Sequence, residues 1–396
     1  MSRFDSLQVQ DYELPAALLA RLQTPALVIQ LDVVRENLRR MRAYLGGDLA
    51  RWRPHAKTTK IAEVYAELVA VGVRAFKCAT TREADVLLAT MSAAGVSDGD
   101  VLLAYPVVGP TLERVAELAR RYPATRVSIL CENEAALDSL PANVGIFIDI
   151  DPGMGRTGMP ASAHDTLLAI ARAARGKFRG LHWYEGHLHG MRSEARAAQA
   201  FASYGQLLGC WRALQSGGIE VGEIVTSGTS TFRQALAFAP FASELGATRH
   251  RVSPGTVVFH DYRSELEIDD VDLVPAAVVA TRVVSAPGER RVTCDAGSKS
   301  LAAEAGSPCA YVLGHPEFVP LTPSEEHLPI EVSRGNPPAR GTVLYLVPRH
   351  ICPTVNLAAE AVLVAAGRAV RIVPVGARAH ELLLDPGRPL AMETRM

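Results

Sequence analysis

Several features that would place this chain in a membrane, on nucleic acid or in an oxidising compartment are missing from its sequence. No uninterrupted apolar stretch is long enough for a transmembrane helix, and the first residues lack the apolar core of a signal peptide. The 41 Lys and Arg residues nearly balance the 42 Asp and Glu residues, so no basic field is available to attract nucleic acid or an anionic membrane. The 6 cysteines have no paired spacing, which predicts free thiols in a reducing compartment. We therefore expect a cytoplasmic globular protein.

The apolar content of the chain is sufficient for a large core. Its 396 residues are 48% hydrophobic, which predicts two domains. After a first strand-like segment at 26–31, short apolar segments alternate with amphipathic segments of helical length. The segments with strand character are 51–54, 75–79, 101–105, 126–131, 144–150, 180–184, 223–226 and 249–259. This alternation is typical of an α/β protein with a (β/α)8 TIM-type barrel, and a doubly wound parallel sheet fits it nearly as well.

The pattern changes after about residue 269, where short strands follow one another between glycine, proline and charged turns. These segments are 274–283, 291–295, 310–312, 342–347, 361–365 and 369–375. Strands without intervening helices predict a mostly-β domain. We therefore expect a barrel at 32–265 and a β-domain at 266–396, with the charged loop 322–328 as the connector nearest to a site.

His350 and Cys352 are the most informative residues of the C-terminal part. They follow an apolar, β-branched run, so we expect them to continue its strand and to share one face of it. Neutral imidazole and thiolate suit zinc better than magnesium or calcium. Two ligands are too few for a closed structural site, which predicts an open metal site completed by water or substrate. The alternative is a strand end that happens to carry these two side chains.

Lys57 lies where the first barrel strand would end, and catalytic groups of (β/α)8 enzymes cluster at those ends. A lysine shielded from water there is suited to form a Schiff base. The alternative is an ordinary solvated lysine before a helix.

Two small turns, 227–231 and 253–256, follow the last predicted barrel strands. Their backbone N–H groups and hydroxyls are suited to bind phosphate, although such turns are also common loop chemistry. Arg156 lies in a glycine-rich loop after the strand 144–150, where it could bond a phenolate or a carboxylate. A structural turn with a surface arginine is the rival interpretation.

Eight motifs in order resemble one family of enzymes. They are Arg53-Pro-His-Ala-Lys57-Thr, Lys77-Cys-Ala-Thr-Thr-Arg-Glu-Ala84, Leu103-Ala-Tyr-Pro-Val107, Asp151-Pro-Gly-Met-Gly-Arg156, Tyr184-Glu-Gly-His187, Cys294-Asp-Ala-Gly-Ser-Lys299, Ser324-Glu-Glu-His327 and His350-Ile-Cys352-Pro-Thr-Val-Asn. Together they resemble the D-threonine aldolase and D-serine dehydratase family, which uses pyridoxal 5′-phosphate on the alanine racemase fold. The resemblance extends from about Thr24 to His380.

The resemblance implies a role for each candidate residue. Lys57 would bind pyridoxal phosphate covalently, Arg156 would contact its 3′-oxygen, and His350 with Cys352 would bind a catalytic divalent metal. The residues expected to hold the phosphate are Ser227, Gly228, Thr229, Gly255 and Thr256. The resemblance further implies that segment 1–31, with its strand 26–31, joins the C-terminal β-domain, and that the protein is a homodimer with its site at the subunit boundary.

Two positions depart from the family's usual pattern. Thr59 stands where relatives usually carry a histidine, so His55, His187 or water would have to move a proton in its place. Apart from these departures, the sequence does not identify the residue that contacts the pyridine nitrogen of the cofactor, and Tyr184 is the candidate. The second departure concerns the metal pair: His-x-Cys is typical of the zinc-dependent dehydratases, whereas the aldolases carry His-x-Asp. Zinc is therefore expected first, with manganese or magnesium as alternatives.

The expected activity is that of a lyase acting on small D-3-hydroxy amino acids. The free amine of Lys57 would remove the α-proton, and the metal would act as a Lewis acid on the β-oxygen. Loss of the hydroxyl would give a 2-oxo acid and ammonia, as in a D-serine dehydratase. Cleavage of the Cα–Cβ bond would give glycine and an aldehyde, as in a D-threonine aldolase. Racemisation is a lesser alternative because the metal pair has no evident role in it.

Overall fold

The computed structural model describes residues 3–382. The strands are β1 (Ala26–Gln30), β2 (Ala75–Cys78), β3 (Gly99–Leu103), β4 (Thr125–Cys131), β5 (Gly145–Asp151), β6 (Met159–Pro160), β7 (Phe178–Trp183), β8 (Glu223–Thr226), β9 (Arg249–Val252), β10 (Ala277–Gly288), β11 (Arg291–Cys294), β12 (Ala310–Val312), β13 (Phe318–Pro320), β14 (Leu328–Val332), β15 (Val343–Pro348), β16 (Glu360–Ala365) and β17 (Arg368–Pro374). The helices are α1 (Ala16–Leu19), α2 (Leu31–Tyr44), α3 (Ala62–Ala70), α4 (Thr81–Ala93), α5 (Pro110–Arg121), α6 (His164–Ala173), α7 (Ser193–Ser216), α8 (Phe232–Ala237), α9 (Ala239–Ser243), α10 (Tyr262–Glu267) and α11 (Ile351–Leu357).

The first sheet is a closed parallel barrel. Strands β2, β3, β4, β5, β7, β8 and β9 lie side by side in that order. The ring is completed by the segment 52–55, in which Trp52 bridges Val252 of β9 and His55 bridges Lys77 of β2, both in parallel. Eight segments therefore surround the axis, which confirms the predicted barrel and excludes an open doubly wound sheet.

The barrel strands are apolar on both faces because one face meets the barrel interior and the other meets the helices. In β5 every residue from Gly145 to Ile150 is buried. Helix α5 is typical of the outer layer: Pro110 occupies its first turn, its apolar side is buried, and Arg120 and Arg121 lie in its last turn. The strand-and-helix alternation read from the sequence thus fixes where the carboxyl ends of the strands lie.

The second sheet is built from both ends of the chain. Strand β1 lies in its middle, antiparallel to β10 and parallel to β16. Around this centre the order is β13-β14-β11-β10-β1-β16-β17, and β15 pairs with β10 and β12. The N-terminal strand is therefore part of the same sheet as the C-terminal strands.

The structure corrects several predicted elements. The predicted strand 249–259 ends at Val252, and the following residues form the turns that line the site. Strands β13 and β14 were not predicted, and β14 begins within the loop expected at 322–328. Among residues 3–382, no helix is both long enough and apolar enough to span a bilayer.

Candidate active site

The candidate site is a cavity of about 130 Å³ at the carboxyl ends of the barrel strands, facing the start of α11 in the β-domain. Residues from both parts of the chain line it. They include His55, Lys57, Thr58, Tyr184, His189, Gly228, Thr229, Gly255, Thr256, Asp261, Arg263, His350 and Cys352. The cavity therefore brings the predicted cofactor lysine and the predicted metal pair together.

Lys57 lies in a single 3-10 turn, Ala56–Thr58, directly after the segment that closes the barrel. His55 caps this turn, because its Nδ1 accepts the backbone N–H of Lys57 at 3.4 Å. Burial lowers the pKa of His55 well below its ordinary value, and the neighbouring amines of Lys57 and Lys77 lower it further. His55 is therefore a neutral imidazole that fixes the position of Lys57.

The ring of Tyr184 is the common neighbour of three basic groups. Lys57 Nζ lies 5.9 Å from the ring centroid and Lys77 Nζ lies 5.4 Å from it. The guanidinium carbon of Arg156 lies 4.9 Å from the same centroid. An aromatic face attracts cations at these distances. The Tyr184 ring therefore attracts the exposed Arg156 and the less exposed Lys57 and Lys77 at the floor of the site.

The two predicted phosphate turns lie side by side. Thr229 Oγ1 accepts the backbone N–H of Thr256 at 3.2 Å, which links the turns directly. Ser227 adopts a φ of 64°, and its buried Oγ has no hydrogen-bond partner within the described residues. A Cβ on Gly255 would lie 2.4 Å from the backbone oxygen of His55, so only glycine allows this approach. Unpaired hydroxyl and amide donors with little steric bulk are the features that a phosphate group requires.

His350 and Cys352 do meet, but not on a strand, so the prediction of a shared strand face was wrong. Strand β15 ends at Pro348, His350 is the N-cap of α11, and Cys352 lies in the first turn of that helix. Burial disfavours a charge on either side chain. Their mutual hydrogen bond nevertheless raises the pKa of His350 and lowers the pKa of Cys352. The lowered pKa of Cys352 favours the thiolate, which is the form of cysteine that binds a metal.

Three further contacts hold the pair in place. Glu304 Oε1 lies 2.9 Å from His350 Nδ1. Cys352 Sγ lies 3.2 Å from Thr58 Oγ1 and 3.6 Å from Thr256 Oγ1. The sulfur therefore contacts both the Lys57 turn and a phosphate turn.

Imidazole and thiolate form a donor set that suits zinc, and a carboxylate on the other imidazole nitrogen is the usual companion of a metal-binding histidine. Within residues 3–382, no group of three or more His, Cys, Asp and Glu side chains is arranged to hold a metal ion. His350 and Cys352 would therefore be the protein's two donors to any zinc ion there, and water or substrate would have to supply the rest.

Three of the predicted residues are not part of the cavity wall: Arg156, His187 and the buried Ser227. Arg156 is exposed and reaches the site only through the Tyr184 ring. His187 is also exposed and does not line the cavity, whereas His189, which was not predicted, does. Thr59, the residue in place of the family's histidine, is buried and its hydroxyl donates to the carbonyl of Ala56 at 3.3 Å. Its side chain is thus occupied and cannot serve as a base.

A buried polar group beneath the site was missed altogether. Lys77, His182 and Asp149 come from strands β2, β7 and β5 and form a hydrogen-bonded chain inside the barrel. A signal was present in the sequence, because His182 and Tyr184 are two residues apart and therefore point to the same side of one strand. The partners across the barrel could not be inferred from that spacing.

Two family models match the chain. The model described as "Alanine racemase, N-terminal domain" matches residues 29–261, and the one described as "Putative serine dehydratase domain" matches residues 276–364. The first covers more than half of the chain and corresponds to the barrel. The second lies within the part that forms most of the other sheet.

Named relatives extend over both parts. The chain is 31% identical to a D-threonine aldolase of an Arthrobacter species over 384 residues, which cover 92% of this chain and 95% of that protein. It is 31% identical to the D-threo-3-hydroxyaspartate dehydratase of Delftia sp. (strain HT23) over 161 residues, 39% of this chain and 40% of that protein. The crystal structure of a D-threonine aldolase from Filomicrobium marinum superposes with a TM-score of 0.78 at 27% identity, covering 91% of this chain and 96% of that one.

Proposed function

We propose that this chain, which belongs to the D-threonine aldolase and D-serine dehydratase family of pyridoxal-phosphate-dependent lyases, is a dehydratase of D-3-hydroxy amino acids. Its products would be a 2-oxo acid and ammonia. The observation that supports this choice is the position of the His350 and Cys352 pair across one small cavity from Lys57.

The arrangement of the site suggests which residues would bind the cofactor. Lys57 would bind pyridoxal phosphate covalently, Tyr184 would lie beside its ring and Arg156 would contact its 3′-oxygen. The phosphate would be held by the turns that contain Ser227, Gly228, Thr229, Gly255 and Thr256, where the Ser227 hydroxyl has no hydrogen-bond partner among residues 3–382. When bound, this cofactor supplies an electron sink next to Cα of an amino acid.

The metal residues are His350 and Cys352, with zinc as the preferred ion because of the thiolate. Zinc at this pair would supply a Lewis acid for an oxygen on the substrate's Cβ. Thr58 and Thr256 keep the sulfur of Cys352 next to the cofactor turns. The leaving hydroxyl and the α-proton would therefore each face a different group of the same cavity wall.

Dehydration requires a proton acceptor at Cα and an acid at the hydroxyl, and Lys57 with the metal pair can supply both. Retro-aldol cleavage requires instead a base at the β-hydroxyl. Thr59 cannot be that base, because it is buried and its hydroxyl donates to Ala56. This difference favours dehydration.

A second candidate function is D-threonine aldolase activity, giving glycine and an aldehyde. The similarity to the Arthrobacter D-threonine aldolase extends over 92% of this chain, further than the match to the dehydratase. His189 lines the cavity and offers an imidazole that could accept the hydroxyl proton. The aldolase alternative therefore has a candidate base, although on a different segment from Thr59.

Product analysis decides between the two reactions. With D-serine, D-threonine and D-3-hydroxyaspartate as substrates and zinc present, we expect ammonia and a 2-oxo acid in equal amounts, with little glycine. Ammonia, glycine and aldehyde are measured separately, and the L-isomers serve as controls. Glycine and aldehyde without ammonia would establish the aldolase instead, and reaction of the L-isomers alone would contradict both proposals.

Glu304 provides a test of the metal site that does not depend on turnover. Glu304→Gln removes the carboxylate from His350 Nδ1, and loss of such a partner weakens metal binding by about 10- to 100-fold. We expect zinc to be lost to a chelator at correspondingly lower concentration. Glu325→Gln is the control, because Glu325 is exposed and pairs only loosely with Lys299 at 3.7 Å. Equal zinc retention in both variants would contradict the assignment of Glu304.

The homodimer implied by the resemblance stays a prediction, and light scattering of the purified protein is the measurement that tests it. His187 also stays a prediction as a proton-transfer residue. Its exposure in a single chain means that only a neighbouring subunit or the bound substrate could bring it into the reaction.

A further inference from the structure

Lys77 is the second lysine of the barrel interior and has no part in the proposed mechanism. It is the third residue of β2 and only 2% exposed. Its Nζ lies 3.5 Å from His182 Nε2, and His182 Nδ1 lies 2.7 Å from Asp149 Oδ1. Asp149 Oδ2 in turn accepts the hydroxyl of Thr157 at 2.8 Å. These four side chains form one continuous hydrogen-bonded chain beneath Tyr184.

The direction of each hydrogen bond can be assigned. Burial would raise the pKa of Asp149, but its contacts with His182 and Thr157 lower it below the ordinary value, so it is a carboxylate. Burial lowers the pKa of His182, so the imidazole is neutral. The proton of that imidazole must then be on Nδ1, where it faces Asp149, and Nε2 accepts a hydrogen bond from the amine of Lys77.

The environment of Lys77 lowers the pKa of its amine toward neutral pH. Burial is the largest influence and Lys57 the next, and together they lower the pKa of Lys77 from 10.5 to about 7. The titratable and charged groups around its amine are Lys57, His55, Asp149, Arg156, His182 and Glu185. The carboxylates of Asp149 and Glu185 oppose the shift but do not cancel it. Loss of the Lys77 proton therefore removes a positive charge that lies 5.4 Å from the centroid of the Tyr184 ring.

We propose that Lys77 is a positioning residue that holds an exchangeable proton beneath the cofactor site and acts on that site through Tyr184 and Lys57. The inference rests on the proposed function, because it assumes pyridoxal phosphate on Lys57. Both amines lie against the same aromatic ring, so the charge of one is felt by the other. With Thr59 unable to hold a proton, the chain of Lys77, His182 and Asp149 supplies a titrating group close to Lys57.

The test is a pH titration of the visible absorbance of the cofactor-loaded enzyme. In the wild type we expect an inflection below the usual range of a lysine, because burial remains the main cause that lowers the pKa of Lys77 when the cofactor is bound. In Lys77→Met the inflection disappears, because the thioether cannot hold the proton. Lys77→Gln keeps a donor toward His182 but cannot titrate, so it should lose the inflection as well. Lys299→Met changes an exposed lysine and should behave as the wild type.

A second readout follows from the coupling between protonation and stability. A lysine whose pKa is lower in the folded than in the unfolded state binds fewer protons when folded. The wild type therefore gains stability as pH rises from about 7 to 10.5. We expect the melting temperature of Lys77→Met, relative to the wild type, to fall steadily over this range. Loss of the inflection together with this trend supports the proposal.

Results that contradict the role of Lys77 can be distinguished from results that contradict the proposed function. An inflection that persists at the same pH in either variant, or a wild type without one, overturns the role of Lys77 while the yellow colour still supports the proposed function. A protein that binds no pyridoxal phosphate overturns the proposed function itself. If Lys77→Met does not fold, Lys77→Gln carries the same test.

Discussion

Replacing Lys57 with alanine leaves the protein unable to bind pyridoxal phosphate covalently, and we expect it to be colourless and inactive after dialysis. Lys57 is the lysine that lines the cavity between the phosphate turns and the metal pair. Removal of a covalent catalytic group commonly lowers turnover by about 10⁴-fold or more. Visible absorbance after reconstitution and the rate of ammonia release measure the two effects separately.

The choice of control matters here because the chain has few lysines near the site. Lys60 is a poor match: its amine pairs with Glu83 and both side chains are almost fully buried. Lys60→Ala would leave that carboxylate unpaired and destabilise the fold, although we still expect the cofactor to bind to Lys57. Lys299→Ala is the cleaner control, since Lys299 is exposed. A Lys57→Ala protein that stays yellow after dialysis would contradict the assignment.

Removing the thiol of Cys352 should abolish zinc binding and activity together. Among residues 3–382 the site offers the ion His350 and Cys352 and no larger group of ligands, so loss of the thiol leaves a single imidazole, which cannot retain the ion. We expect Cys352→Ala to lose about two to four orders of magnitude in rate, since a metal Lewis acid supplies several kcal/mol of transition-state stabilisation. The visible absorbance of the cofactor should remain, because Lys57 is intact. Metal content and rate are measured on the same preparation.

Chelator treatment of the wild type should reproduce that result. Cys309→Ala is the matched control, because Cys309 is a buried free thiol in the core of the β-domain. Cys352→Asp should shift metal preference toward manganese or magnesium, which favour oxygen ligands, and raise the share of aldol cleavage. Full turnover by metal-free enzyme would mean that His350 and Cys352 have no role in the reaction.

The candidate cofactor residues could be placed near one another from the sequence because each follows a barrel strand. Lys57 and the turns at Ser227 and Gly255 lie at carboxyl ends of parallel strands, and the closed barrel brings those ends together. Once the strand order was correct, the residue types in each short segment were therefore sufficient to group these segments into one candidate site. The family's D-amino acid lyase activity followed from the same motifs.

The local structure around the metal pair could not be predicted from its apolar run. The run 342–347 predicts a strand, but not where it ends. Pro353 lies in the first turn of α11, where its missing N–H costs nothing. That proline was a signal for a helix start, and it was outweighed by the continuous apolar, β-branched run before it. The two side chains meet across a helix N-terminus instead of along a strand.

The chain of Lys77, His182 and Asp149 could not be predicted for a different reason. Its members lie on three strands and touch only because the barrel closes. Sequence spacing orients a side chain toward the interior but does not select its partner there. Burial then lowers the pKa of the Lys77 amine. The motif that contains this lysine does not indicate that it is buried.

The central place of β1 has a consequence for synthesis. The strand leaves the ribosome early, yet its two neighbours, β10 and β16, begin about 250 and 330 residues later. Until both emerge, β1 remains an unpaired apolar edge attached to a barrel that can already form. Deleting the first 31 residues would have the same result permanently, because β10 and β16 would each be left with an open edge. We therefore expect N-terminal truncation past Gln30 to cause aggregation during expression.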